Sequence, residues 1–120
     1  MNFLVLVFFV TISTTISDRN IFGGGACGGI SPVTRWMRTE RNDSIRMNVD
    51  TSSCQFENPP LYFTSITGGV GHYLLTGINA IYEATNYGFI INVRSIDGAN
   101  ANTLMERSAQ WKLQWVGLQS

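Results

Sequence analysis

The chain has a single lysine, Lys112, and a single histidine, His72, among 120 residues. Eight basic residues balance eight acidic ones, so the formal charge is zero. A grip on DNA, RNA or an anionic membrane needs clustered Lys and Arg. Here the basic residues from Arg35 to Arg46 are interleaved with Glu40 and Asp43, the pattern of a solvated surface. Nucleic acid is therefore not an expected partner. One histidine also leaves Ser–His–Asp chemistry with one available base. It sits in Gly69-Val70-Gly71-His72-Tyr73, a glycine-hinged turn and a poor platform for catalysis. His72 reads either as a ligand contact at a loop tip or as an ordinary exposed loop histidine. Carboxylate pairs are scarce too. Asp97 and Glu106 flank the last loop, but their spacing does not set them across a cleft as glycoside hydrolysis requires. Gly68-Gly69-Val70-Gly71 lacks the Lys-Ser or Lys-Thr and the following helix of a phosphate loop. No enzyme activity, cofactor or metal is expected.

Long apolar runs are also lacking. The one clear run, Phe3 to Val10, is too short for the ~20 residues that cross a bilayer. Small polar residues follow it up to Ser17, before Asp18 and Arg19. That is the shape of a secretory signal peptide over residues 1–17, although no Lys or Arg precedes the apolar core. The alternative is a buried N-terminal strand. The signal reading leaves one domain, 18–120, with a glycine-rich N-terminal arm. It would be secreted, extracellular and not inserted in a membrane.

There are only two cysteines, Cys27 and Cys54. An even count in a small exported domain reads as a disulfide, and a loop of this size is worth ~3 kcal/mol by the loop-entropy relation. A metal pair or a reactive thiol are the alternatives. One histidine and two distant cysteines make a poor metal site. Asn42-Asp43-Ser44 is the one N-glycosylation triplet, so Asn42 is a candidate glycosylation site on a surface loop.

What the chain does have is period-two alternation. Ile45, Met47 and Val49 alternate with Arg46, Asn48 and Asp50, and Phe89, Ile91 and Val93 alternate with Ile90, Asn92 and Arg94. Trp111, Leu113, Trp115 and Gly117 alternate with Lys112, Gln114 and Val116. Such alternation marks half-buried strands. Thr34 to Met37, Leu61 to Thr67 and Ile78 to Ala84 are further strand candidates, each bounded by Gly, Pro, Asn or Asp. Thr103-Leu104-Met105-Glu106 has capping-box spacing and predicts one or two helical turns. Gly23 to Gly29 reads as a flexible stretch held by Cys27. The expected fold is all-β: a small antiparallel β-sandwich of about six strands.

Sugar binding needs an exposed aromatic face for the C–H side of a ring, and amide, carboxylate or guanidinium groups for its hydroxyls. Tyr73, Arg94, Asp97, Asn100 and Trp111 stand at or beside loops and are the candidate ligand residues; Tyr62 and Asn102 offer similar chemistry. Trp111 and Trp115, two residues apart, read equally well as core. Arg94 faces away from Phe89, Ile91 and Val93 and is expected to be exposed.

Asn58-Pro59-Pro60-Leu61-Tyr62-Phe63-Thr64-Ser65-Ile66, Thr85-Asn86-Tyr87-Gly88-Phe89-Ile90-Ile91-Asn92-Val93 and Trp111-Lys112-Leu113-Gln114-Trp115-Val116-Gly117 resemble three strands of H-type lectin domains. The resemblance spans Pro59 to Leu118, about half the chain. It implies a six-stranded antiparallel sandwich, often trimeric, and binding of N-acetylgalactosamine-type sugars without catalysis. Two segments depart from the family: Ser95-Ile96-Asp97-Gly98 stands where the lectins carry a Trp, and Gly68 to Gly77 is richer in glycine. Both fall where sugar contacts would lie. The expected function is thus a secreted, non-catalytic, lectin-like module that binds glycans or glycoproteins as a homo-oligomer. The alternative is an extracellular subunit of a matrix, coat or filament, built by sandwich packing and strand addition. A small inhibitor or toxin rests only on size and export.

Overall fold

Alternating burial decides where the long strands lie. The computed structural model describes residues 25–119; the signal-peptide segment 1–17 and residues 18–24 of the glycine-rich arm lie outside them. In chain order the strands are β1 (Ala26–Ser31), β2 (Trp36–Arg38), β3 (Ile45–Asp50), β4 (Leu61–Gly68), β5 (Leu75–Thr76), β6 (Gly88–Ser95) and β7 (Trp111–Leu118). One helix, α1 (Ala101–Arg107), joins β6 to β7. The strands form two antiparallel sheets, a three-stranded one ordered β1-β7-β4 and a four-stranded one ordered β2-β3-β6-β5. The predicted all-β sandwich is the observed fold.

β3, β6 and β7 each bury the predicted side. Ile45, Met47 and Val49 of β3 and Phe89, Ile91 and Val93 of β6 face inward. They meet Tyr62 and Ile66 of β4 and Trp111, Leu113 and Trp115 of β7 in one buried cluster. Burying one such side chain contributes ~1.5–3 kcal/mol, so this cluster is the main source of stability. Leu104 of α1 is fully buried and closes one margin of the core. Cys27 of β1 and Cys54, in the single 3-10 turn after β3, form the predicted disulfide, which ties an edge of one sheet to a connection leaving the other.

Four local expectations are corrected. Of the stretch read as flexible, Gly23 to Gly29, residues 26–29 belong to the edge strand β1. Its glycines answer to close packing: a Cβ on Gly28 would lie 2.6 Å from the Trp115 carbonyl oxygen, and one on Gly29 would press on the Trp115 ring at 3.0 Å. Ile78 to Ala84 is not a strand, and its one ladder contact is the bridge Tyr82–Ile90. The chain turns at Gly77, where Ala80 N–H donates to the Gly77 carbonyl at 3.1 Å, and again at Glu83, whose φ is 52°. Ile78 and Ile81, three apart, pack on the core, while Tyr82 and Ala84 are exposed. The strand expected at Thr34 starts at Trp36, because Val33–Arg35 forms a 3-10 turn behind Pro32. Finally, Thr103 does not cap α1. Asn100 does, its side-chain oxygen accepting from Thr103 N–H at 2.9 Å.

Candidate ligand groove

The inward alternation of β3 and β6 forces their other residues outward. Ladder pairing sets Arg46 opposite Asn92, Asn48 opposite Ile90 and Asp50 opposite Gly88. The outer face of the four-stranded sheet is therefore polar and hydrogen-bonding.

An open groove of about 620 Å³ runs along one end of that face, lined by Arg35, Asn48, Asp50, Glu83, Tyr87 and Ile90 among others. Arg35 reaches it from the 3-10 turn before β2, where one guanidinium N–H donates to the Asn48 carbonyl at 3.3 Å. Asp50 is exposed, accepts from Ser52 N–H at 2.9 Å, and has its pKa held below the usual carboxylate value by the Ser52 hydrogen bonds and then by the Arg35 charge. It stays ionised in neutral solution. Tyr87 is 63% exposed. Its backbone is nonetheless fixed: Tyr87 N–H donates to Thr85 Oγ1 at 3.2 Å, and its carbonyl accepts from Thr51 N–H at 3.0 Å. The result is an aromatic side chain held out on a pinned turn, beside an arginine, an asparagine carbonyl and two carboxylates.

A second hollow, about 400 Å³, opens at the other end of the same face, with Thr76, Tyr82, Asn92 and Arg94 in its wall. Arg41 and Asp43 pair beside it at 2.9 Å, and a second Asp43 oxygen lies 3.8 Å from the Arg94 guanidinium.

The five sequence-predicted ligand residues do not share one surface. Arg94 is exposed, as expected, and lines the second hollow. Tyr73 is 81% exposed on a short turn, and that turn is hydrogen-bonded to the loop after β6 through Ile96 N–H to the Leu74 carbonyl at 3.0 Å. Asp97 lies in the same loop, but its carboxylate is occupied: Ser95 Oγ–H and Ala99 N–H donate to one oxygen and Arg107 to the other, the last at 3.1 Å. The Asn100 oxygen is spent capping α1. Trp111 is fully buried, its indole N–H donating to the Gly69 carbonyl at 2.8 Å, so its ring offers no face to a ligand. Asn42 is exposed, on the loop between β2 and β3. Sequence reasoning missed Arg35, Asn48, Asp50 and Tyr87. The signal was present for Asn48 and Asp50, which alternate with the buried side of β3, but not for Arg35 and Tyr87, which lie on turns outside the strands.

Among the described residues no three His, Cys, Asp or Glu side chains gather as metal ligands, and no helix is long and apolar enough to cross a membrane. What the structure defines is a class: a disulfide-tied antiparallel β-sandwich with one polar outer face. In comparison with known proteins, no family model, no curated protein and no solved structure matches the chain.

Proposed function

We propose that the chain is a secreted, non-catalytic, lectin-like module that binds a carbohydrate in the groove along Arg35, Asn48, Asp50 and Tyr87. The observation that carries this reading is the pinned Tyr87, whose ring stands exposed within a groove that also presents a guanidinium and two carboxylates. An aromatic face supplies dispersion contact to the C–H side of a sugar, and fixed polar groups set its orientation. Among the described residues, the groove lining holds no histidine and no cysteine, which favours binding over turnover. Export agrees with the disulfide and with the exposure of Asn42 on its loop. The test is a broad glycan array probed with the oxidised protein. Binding above background that is lost in Tyr87→Ala supports the proposal; silence across the array removes it.

One observation favours the structural-subunit reading. β4 is an eight-residue edge strand, and Leu61 and Phe63 on it are exposed. A long edge strand that carries exposed apolar side chains invites strand addition by another copy. Electron microscopy of concentrated protein separates the two: ordered polymers support the scaffold, and discrete particles count against it.

A further inference from the structure

The two outer faces of the sandwich differ in chemistry. On the three-stranded sheet, Ile30 of β1 lies opposite Gln114, Leu61 of β4 opposite Leu118, and Phe63 opposite Val116. Ile30, Leu61 and Phe63 are 61%, 67% and 53% exposed. The outward positions of these three strands hold one charge, Lys112, at the end of β7 opposite Thr67. The four-stranded sheet instead turns Arg46, Asn48, Asp50, Asn92 and Arg94 outward.

We propose that the apolar face of the three-stranded sheet is the interface of a two-fold dimer of this chain. Three features of the face select a second copy as the occupant. First, it is self-complementary in shape. Phe63 projects beside a hollow of about 380 Å³ walled by Phe63, Ser65, Gln114 and Val116, so each copy offers a knob to the other's hollow. A two-fold axis pairs such features reciprocally. Second, the charge pattern suits it. An axis near the middle of the face sends the two Lys112 side chains to opposite ends, with no like-charge contact. With one cation, the face has little to attract an anionic lipid surface or an acidic partner. Third, the area sets the strength. Three strands ~4.8 Å apart and up to eight residues long span roughly 14 by 26 Å, so stacking two such faces buries roughly 750 Å² in total, the size of a weak, reversible association.

The dimer has a functional consequence, which rests on the carbohydrate reading above. Stacking the three-stranded faces sends the two polar faces outward in opposite directions. The grooves then face away from each other, a geometry for cross-linking two surfaces rather than for gripping one.

The experiment is sedimentation equilibrium of the oxidised chain over a concentration series, with hydroxyl-radical footprinting on the same samples. A monomer–dimer equilibrium in the micromolar range is expected for an interface of this size. Phe63 reactivity falls as dimer forms, while that of Tyr82, on the far side, stays constant. Phe63→Lys weakens association tenfold or more, and Met37→Lys, on the opposite outer face, does not. A monomer at every concentration, a trimer, or a dimer in which Phe63 stays fully reactive overturns the interface. Footprinting of the unmodified protein decides the matter even where Phe63→Lys fails to fold. Beads coated with an array-positive glycan test the consequence separately. Cross-linking that is lost in Phe63→Lys while that variant still binds glycan supports the outward-facing grooves. A dimer that does not cross-link beads overturns that arrangement and leaves the interface standing.

Discussion

Trp36 and Trp111 join the two sheets edge to face, with ring centroids 6.3 Å apart and planes at 81°. The Trp36 indole N–H donates to the Trp111 carbonyl at 2.9 Å, and both side chains are buried. Trp36 opens β2 of one sheet and Trp111 opens β7 of the other, so the pair fixes their relative position at one end of the sandwich. Trp36→Phe removes the donor, strands a buried acceptor and leaves a small void. The expected cost is about 2–4 kcal/mol, read as a lower urea midpoint with an unchanged slope. A loss below about 0.5 kcal/mol would show that the contact does not hold the sheets together.

The disulfide fastens β1, a strand with two glycines and little side chain to bury. Cys27 and Cys54 are 27 positions apart. Replacing both with serine is expected to cost about 3 kcal/mol, chiefly by freeing the unfolded chain. The loss should be concentrated in β1. Hydrogen exchange at Gly28 to Ile30 is expected to accelerate more than exchange at Ile91 and Val93, which lie in the middle of the other sheet. Equal acceleration everywhere would mean that the bridge stabilises only the whole fold.

Tyr62 carries a polar link through the core. Its hydroxyl donates to the Thr85 carbonyl at 2.8 Å and receives the Thr51 hydroxyl at 2.7 Å, and Thr51 is itself fully buried. Tyr62→Phe leaves both partners unsatisfied at a cost of about 1–2 kcal/mol. Burial pushes the Tyr62 pKa above the usual tyrosine value, with the Thr51 hydrogen bond pulling the other way. The neutral phenol is therefore the form that the fold favours. Its contribution is full below the ordinary tyrosine pKa, ~10, and is lost as pH rises through the folded value. Alkaline titration at the tyrosinate absorbance should show one tyrosine ionising late, and this late step should vanish in Tyr62→Phe.

These relationships explain which parts of the fold could be read from the chain. β3, β6 and β7 were legible because burial on one face and solvent on the other write a period of two into the sequence. β1 was not, because a strand that must lie against the Trp115 ring and carbonyl needs small residues, and glycine reads as a break. Ile78 to Ala84 misled for the opposite reason. Ile78 and Ile81 are apolar because they cover the edge of the core from a turn, where spacing follows local geometry rather than a ladder. The site was the least legible part. Asp97 and Asn100 are the residue types that bind sugars, yet here they serve the loop and the helix cap, and sequence spacing does not separate those duties.

Acid should loosen the loop before α1. The Ser95 hydroxyl and then the Arg107 guanidinium hold the Asp97 pKa below the usual carboxylate value. A depressed folded-state pKa gives stability that is present above the unfolded value, ~3.9, and lost as pH falls through the folded one. Asp43 and Asp50 are lowered as well, so the acid loss is shared. Asp97→Asn is expected to lower the melting temperature at neutral pH and to flatten part of its decline below about pH 4. An unchanged acid profile in that variant would mean that Asp97 contributes nothing to the pH dependence.

The groove and the loop cluster make opposite demands on two exposed tyrosines. Tyr87 stands in the groove on a turn fixed by Thr51 and Thr85, while Tyr73 projects from a short turn at the other edge of the sheet. Both rings are largely in water, at 63% and 81% exposure, so cutting either back to alanine should change stability by no more than about 0.5 kcal/mol. Their effects on ligand should diverge. With a glycan identified by array, Tyr87→Ala is expected to weaken binding at least tenfold by titration calorimetry, and Asp50→Asn to weaken it by a smaller factor. Tyr73→Ala should bind like the unaltered protein. The reverse pattern, with Tyr73 essential and Tyr87 indifferent, would move the sugar to the loop after β6. It would also remove the proposed sugar from the groove along Arg35, Asp50 and Tyr87.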